Sequence, residues 1–173
     1  MQPVSVVPIQ AAVSLLEKTP GLLELLLRDV SPELLQWKPA PVRWSIAEVL
    51  GHMAVIEQLY EQRARRIVLD DSPLLPPYVP PEESELQKKT ARHHLERFVG
   101  LRRAFVFYLH SIPSTAAART GRHHEMGTIT LSQMLHELAN HDLGHFRQIA
   151  ELYRAYAFYP HAGPFQKYSN PKP

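Results

Sequence analysis

Two segments of this chain carry histidine at positions where an amphipathic helix usually carries a core leucine. In the segment His141–Gln148, His141 and His145 stand four residues apart, which places them next to each other on one helical face. In the segment Trp44–His52, the closing histidine falls on the apolar stripe of its own predicted helix. Three imidazoles directed into a helical bundle are enough to hold a divalent ion and to leave positions for water or substrate.

An ordinary core role is the alternative for each of these histidines. A buried histidine is commonly satisfied by one hydrogen bond, and histidines also occur at a four-residue spacing by chance. His141 and His145 nevertheless share the strongly apolar stripe of their helix, where each imidazole needs polar partners. A shared metal ion would supply a partner to both, so the pattern alone leaves both interpretations open.

Length and composition narrow the class of protein. The chain has 173 residues, a formal net charge of +2 and no cysteine. Basic residues are dispersed among acids, unlike the clustered charge of a nucleic-acid reader, and thiolate ligands, disulfides and a cysteine nucleophile are excluded. The apolar run at Leu22–Leu27 is too short to span a bilayer, and Met1–Gln10 lacks a signal-peptide pattern. We therefore expect one cytoplasmic domain over residues 1–173 with no nucleic-acid or membrane partner.

Apolar residues at helical spacing predict an all-α protein, a four-helix bundle without strands. The first helix covers about Ile9–Val30, where Thr19–Pro20 either kinks one helix or starts another. The second helix runs from Ser45 to about Leu69, and Glu48, three residues after Ser45, predicts a capping box.

The third helix is expected from near Glu82 to Pro113. Its apolar stripe is Leu101, Phe105, Tyr108 and Ile112, with Phe98 beside it. A polar loop over 114–128 follows, and the fourth helix begins at Thr130 or Ser132 and ends before Pro160. The bundle core is thus expected at about 9–158, with a surface tail at 160–173.

The Pro-rich segment 70–81 is longer than an antiparallel pair of helices requires. A connection of this length can return the chain to the other end of the bundle. It therefore favours a long crossover that sets helices two and three parallel.

Both histidine segments resemble the signatures of a known family. Trp44–His52, with the sequence Trp-Ser-Ile-Ala-Glu-Val-Leu-Gly-His, resembles the second-helix signature of the DinB-like (damage-inducible, YfiT-like) superfamily. Asn140–Gln148 resembles the fourth-helix signature, with its two histidines and the glutamine after them, and Gly127–Leu131 matches the approach to that helix. The resemblance covers about Leu15–Tyr156.

The resemblance implies a four-helix bundle with an up-down-down-up arrangement, in agreement with the long crossover. It also implies His52, His141 and His145 as metal ligands. Several members of the family are transferases or isomerases that use bacillithiol, mycothiol or glutathione. Because this chain has no cysteine, any such thiol would come from outside the protein.

Glu48 and Gln148 are the candidate catalytic residues. The capping box alone would explain Glu48, and the alternative role for Gln148 is to orient a ligand histidine. His94 would line the pocket if helices two and three are parallel. Further pocket-lining candidates are Thr90, Arg97 and Trp44. On the helical wheel Asp142 is expected to face away from the site, and His136 lies about 140° from the ligand face.

The expected function is that of an enzyme holding Zn²⁺ or Ni²⁺, since neutral nitrogen ligands suit borderline ions. The ion would act as a Lewis acid on water or on a low-molecular-weight thiol, giving a hydrolase or an S-transferase or isomerase. The alternatives are a metal-stabilised stress or binding protein without turnover, and a helical interaction module with incidental histidines. A small-molecule substrate and a homodimer are the expected partners.

Overall fold

Four long helices dominate residues 8–173, which this computed structural model describes apart from the side chains of Glu83 and Glu85. The elements, in chain order, are α1 (Ile9–Leu27), α2 (Pro32–Gln36), α3 (Ile46–Leu69), α4 (Glu83–Gln87), α5 (Ala91–Ser111), β1 (Thr120–His123), β2 (Gly127–Thr130) and α6 (Leu131–Tyr153). The four-helix bundle expected from the sequence is confirmed. None of the helices in this part of the chain combines the length and hydropathy needed to cross a membrane.

The starts of the long helices follow from their capping residues. Ser45 and Glu48 form the expected capping box of α3: the serine hydroxyl accepts from the Glu48 backbone N–H, and the Glu48 carboxylate accepts from the Ser45 N–H at 2.8 Å. Thr130 and Gln133 form a second capping box, so α6 begins at Leu131. Such reciprocal bonds satisfy backbone donors that the first helical turn leaves free.

The sequence predicted a single helix from near Glu82 to Pro113, and the first part of this prediction is wrong. Thr90 is extended and its side chain accepts from the His93 N–H at 3.2 Å, which makes it the N-cap of α5. The preceding residues form only the one-turn helix α4. The polar sequence that suggested a loop over 114–128 also proves to contain a hairpin, in which β1 and β2 pair antiparallel.

Helices α3 and α5 run in the same direction, because their contacts advance together along both. Arg97 donates to Gln58 at 2.7 Å, and further along both helices the Arg65 guanidinium stands 4.1 Å from the centre of the Tyr108 ring. The parallel pair predicted from the length of the crossover is therefore confirmed.

Helix α1 runs opposite to α5 and parallel to α6. Glu24 faces Arg103 at 3.7 Å, whereas Glu17, earlier in α1, faces His110, later in α5, at 3.9 Å. The first turns of α1 and α6 meet around one cavity at the same end of the bundle. The directions of the four long helices are therefore up, down, down and up.

The crossover between α3 and α4 is fastened along its length. Leu75 donates to the Arg122 carbonyl at 3.0 Å, which ties the crossover to β1, and the Arg63 guanidinium donates twice to the Pro76 carbonyl. This route carries Tyr78 to the end of the bundle where α3 begins, and its hydroxyl lies 3.3 Å from His52 Nδ1.

The stripe expected on the third helix is rotated from the buried face of α5. Phe98 and Phe105 are fully buried, but Leu101, Tyr108 and Ile112 are only partly so. The buried face also includes a charged residue, Arg102, which is 1% exposed. Helix α1 continues through Pro20 without a break.

Candidate metal centre

The structure brings together the three histidines singled out by the sequence. His52 on α3 and His141 and His145 on α6 offer one ring nitrogen each, and these nitrogens all lie within 4.8 Å of one another. His141 Nε2 is central, at 3.1 Å from the Nε2 of both His52 and His145. Among the described residues this is the one group of three or more potential ligands close enough to share an ion.

Each imidazole also has a polar neighbour on the side of its other nitrogen. Gln148 Oε1 lies 2.9 Å from His145 Nδ1, and the Tyr78 hydroxyl lies 3.3 Å from His52 Nδ1. His141 Nδ1 is buried without a hydrogen-bond partner in the described part of the chain, and the nearest carboxylate oxygen, Asp142 Oδ1, is 3.9 Å away. Groups in these positions orient ligand histidines in metal sites.

The donor set fits a divalent ion. The Gln148 oxygen accepts the hydrogen of His145 Nδ1, so the Nε2 of a neutral His145 has a lone pair and no hydrogen. That lone pair faces His141 Nε2 at 3.1 Å, where it can accept a hydrogen from His141 or bind a cation that the two nitrogens share. Nitrogens bound to one zinc at about 2.0–2.1 Å would stand about 2.8–3.4 Å apart, which includes the spacing found here.

The electrostatics of the site favour neutral imidazoles. Burial, together with the neighbouring His145 and His141, lowers the pKa of His52 to about 3. Burial and His141 also lower the pKa of His145, although the contact with Gln148 opposes them. Neutral imidazole is the form that binds metal ions.

Trp44 is the predicted pocket-lining residue that the structure places against the histidines. Its ring centre lies 5.0 Å from that of His52 and 6.4 Å from that of His145, where the two rings are stacked. The indole thus covers one side of the site. Tyr78, which no sequence pattern indicated, contacts His52 edge-on with 6.0 Å between ring centres.

The structure gives the other predicted pocket residues different partners. His94 Nε2 lies 2.8 Å from the Leu86 carbonyl, and its ring packs against Gly51, where an added Cβ would lie 3.1 Å from His94 Cε1. Arg97 is bonded to Gln58. Thr90 caps α5. These three residues therefore cap α5 or hold it against α3 and α4.

Glu48 is held on all sides at the start of α3. Its carboxylate accepts from the Ser45 N–H and hydroxyl and from the Gln87 amide, and it pairs with the Lys38 ammonium at 2.7 Å. Burial acts to raise the pKa of Glu48, but these partners outweigh it and lower the pKa. A carboxylate so occupied suits a capping role better than that of a general base.

The helical wheel predicted that Asp142 faces away from the site, and this prediction is wrong. It is 2% exposed, and its carboxylate lies between His141 and the guanidinium of Arg102, which donates to it at 2.6 and 3.2 Å. Burial acts to raise the pKa of Asp142, but His141 and Arg102 outweigh it and lower the pKa. The aspartate therefore connects the histidine site to the bundle core.

Arg102 also pairs with Glu57, through two hydrogen bonds of 2.7 and 2.6 Å. Burial raises the pKa of Glu57, yet both of its oxygens accept from Arg102, which requires the carboxylate form. The cluster of Glu57, Arg102 and Asp142 therefore carries one net negative charge inside the bundle, next to His141.

An open cavity of about 890 Å³ borders two of the histidines. His141 and His145 form part of its wall. The rest of the lining comes from α6, from Arg43 in the loop before α3, and from Asn170, Lys172 and Pro173 in the C-terminal tail. A volume of this order is typical of small-molecule sites.

Comparison with known proteins gives a family match and two structural neighbours. A sequence model of the DinB superfamily matches residues 15–149. The structure of YfiT from Bacillus subtilis, described as a probable metal-dependent hydrolase with an unusual four-helix bundle topology, has a TM-score of 0.78 at 19% identity, covering 89% of this chain and 90% of that one. A DinB-like protein from Bacillus cereus has a TM-score of 0.57 at 20% identity, covering 84% and 88%. No curated protein matches the chain. At these identities the structural likeness shows the fold alone.

Proposed function

The chain belongs to the DinB superfamily, and we propose that it is a divalent-metal-dependent hydrolase of a small molecule, with His52, His141 and His145 as metal ligands. The observation that carries this proposal is the 3.1 Å approach of His141 Nε2 to the Nε2 of both other histidines. A single cation among them would satisfy the lone pairs of all three neutral imidazoles at once.

Three protein ligands beside an open cavity are typical of catalytic rather than structural zinc sites, which are closed by a fourth protein ligand. The cavity borders His141 and His145, so a substrate can approach the ligand nitrogens from that side. We propose Zn²⁺ or Ni²⁺ as the ion because three neutral nitrogens suit borderline metals. Such an ion supplies Lewis acidity that lowers the pKa of water and polarises a carbonyl group.

The residues around the triad hold the imidazoles in place. Gln148 accepts from His145 Nδ1 and fixes which nitrogen of that ring is free to bind. Asp142 stands beside His141 Nδ1, and the Trp44 ring excludes water from one side of His52. We therefore assign Gln148 a positioning role, and Glu48 a role in the fold of α3.

Water is the nucleophile that we propose. YfiT, whose fold this chain shares, is described as a probable metal-dependent hydrolase, and that description supports water over the thiol expected from the family resemblance. The chain has no cysteine, so a thiol reaction would require an external co-substrate. For this reason the proposal does not include a thiol, and the test below adds external thiols as a separate condition.

The test begins with untagged, metal-free protein to which Zn²⁺ or Ni²⁺ is added. Bound metal is measured after gel filtration, and hydrolysis of a panel of esters and amides is followed with and without external thiols. We expect one ion per chain and thiol-independent turnover, both lost in His145→Ala. His136→Ala is the matched control, because His136 lies on the same helix and bonds the Ser132 carbonyl outside the triad.

Three outcomes would contradict the proposal. If the His145→Ala variant retained the metal, the three histidines would not be the metal-binding site. Turnover only with an added thiol would indicate a transferase. Absence of turnover, together with unfolding on chelation, would indicate a structural metal.

A further inference from the structure

We propose that the open cavity beside the triad binds its ligand through an anionic group, a carboxylate or a phosphate. This inference rests on the proposed function, because the same molecule would present its reactive bond to the histidine site. The proposal comes from the positive charges that line the cavity and from the lack of partners for two of them in the described part of the chain.

Three positive side chains from separate parts of the chain line this cavity. Arg43 belongs to the loop before α3, Arg147 to α6 and Lys172 to the C-terminal tail. Glu151 is the one acidic residue of the lining. The fold therefore gathers cations from positions far apart in sequence at the mouth of the histidine site.

Glu151 does not neutralise these cations, because its carboxylate is already engaged. One oxygen pairs with the Arg154 guanidinium, and the other accepts the backbone N–H of Lys172 at 3.0 Å. Arg43 donates to the Pro173 carbonyl oxygen. The side chains of Arg147 and Lys172 have no hydrogen-bond or ion-pair partner in the described part of the chain.

Several arginines elsewhere on the bundle surface have acidic partners. Arg65 pairs with Glu61, Arg92 with Glu96, and Arg103 faces Glu24. Within the described residues, Arg147 on the cavity wall has no such carboxylate. The fork of N–H donors on an arginine matches the two oxygens of a carboxylate or phosphate.

The position of the cations suits a ligand with two ends. A cleft lined by one sign of charge concentrates ligands of the opposite sign. An anionic group held between Arg147 and Lys172 would leave the rest of a small molecule facing His141 and His145, which share the same cavity. Neutral polar side chains, Asn140 and Asn170, are available on the same wall for further hydrogen bonds.

The experiment measures binding by calorimetry at low ionic strength, using zinc-loaded and metal-free protein. The probes are glutarate, its uncharged analogue glutaramide, and inorganic phosphate. We expect one or both anions to bind more tightly than glutaramide, and Arg147→Gln to weaken that binding about tenfold or more, as the loss of a charged hydrogen bond does. The matched control is Arg103→Gln, which replaces an exposed arginine on α5 and should leave the anion affinity unchanged.

Binding of glutarate alone or of phosphate alone supports the proposal and identifies the anionic group. Glutaramide binding as tightly as glutarate would overturn it. Equal anion affinity in wild type and Arg147→Gln would also overturn it, because the anions would then bind the metal directly. The zinc affinity of each variant, measured with a competing chelator, tests the proposed function separately. If wild-type protein binds no zinc, the proposed function is contradicted. The titration of metal-free protein with the anions still decides whether the anion site exists.

Discussion

Arg102 donates a hydrogen bond of 3.1 Å to the carbonyl oxygen of Leu16. That carbonyl lies four residues before Pro20, which has no N–H to offer it. The proline inside α1 therefore leaves an acceptor free at the centre of the bundle, and the guanidinium uses it. The other four N–H groups of Arg102 bond Glu57 and Asp142 at 2.6–3.2 Å, so all five of its donors are satisfied.

The first prediction concerns the stability that depends on this arginine. Arg102→Met should lower the free energy of unfolding by about 3–5 kcal/mol, because it leaves two buried carboxylates without their partner. Arg103→Met, at the adjacent exposed position, should change it by less than about 0.5 kcal/mol. Urea unfolding followed by circular dichroism measures both. If the two substitutions lowered the free energy of unfolding equally, the buried cluster would stabilise the fold no more than an exposed arginine does.

The parts of the fold that the sequence predicted depend on local patterns. Helical periodicity and the Ser45–Glu48 capping box are contained within a few turns of chain. The same periodicity placed His141 and His145 on one face. His52 could be added because its helix has a single apolar stripe that must face the others.

The parts that were missed depend on contacts between distant residues. Arg102 and Asp142 are charged, and a charged residue on a helical wheel indicates solvent unless its partner is known. Here the partners lie on three other helices, so burial of Arg102 rotates the core face of α5. Tyr78 reaches His52 only because the crossover is bonded along its length, which no local pattern reveals.

The second prediction concerns Asp142 and metal affinity. Asp142→Asn should weaken Zn²⁺ binding about 10–100-fold, because it removes the negative charge beside His141 Nδ1. Glu57→Gln removes the same charge from the cluster without touching His141 and should have a smaller effect. Competition with a chromogenic chelator gives both affinities, and circular dichroism checks that each variant is folded. If Glu57→Gln weakened zinc binding as much as Asp142→Asn, the total charge of the cluster would matter and not the position of Asp142.

The third prediction separates a ligand from a residue that orients one. His145→Ala should abolish zinc binding, whereas Gln148→Ala should retain it with an affinity or activity about 10–100-fold lower. The reason is that Gln148 acts only through its contact with His145 Nδ1. Gln58→Ala, an exposed glutamine on α3, should bind zinc like the wild type. Complete loss of zinc in Gln148→Ala would contradict a positioning role.

The fourth prediction concerns pH and the buried His94. Its Nε2 faces the Leu86 carbonyl, which can only accept, so Nε2 carries the hydrogen and Nδ1 is left buried without a partner among the described residues. Burial lowers the pKa of His94, the bond to Leu86 opposes this, and the nearby His93, Arg97 and Lys89 lower it further.

Because the pKa of His94 is lower in the folded protein than the usual value of about 6.5, the unfolded chain takes up this proton first as the pH falls. The contribution of His94 to stability is therefore complete above about pH 7 and declines as the pH drops from about 6.5 towards the folded pKa.

His94→Gln removes the titrating group. The loss of unfolding free energy between pH 7.5 and pH 5.5, measured by urea titration of metal-free protein, should be smaller in His94→Gln than in wild type, even if the variant is less stable at pH 7.5. The triad histidines are the same in both proteins, so their contribution cancels in the comparison. His93→Gln, an exposed neighbour, should keep most of the wild-type pH dependence. An unchanged pH dependence in His94→Gln would show that the pKa of His94 is the same in the folded and unfolded states, which contradicts the prediction.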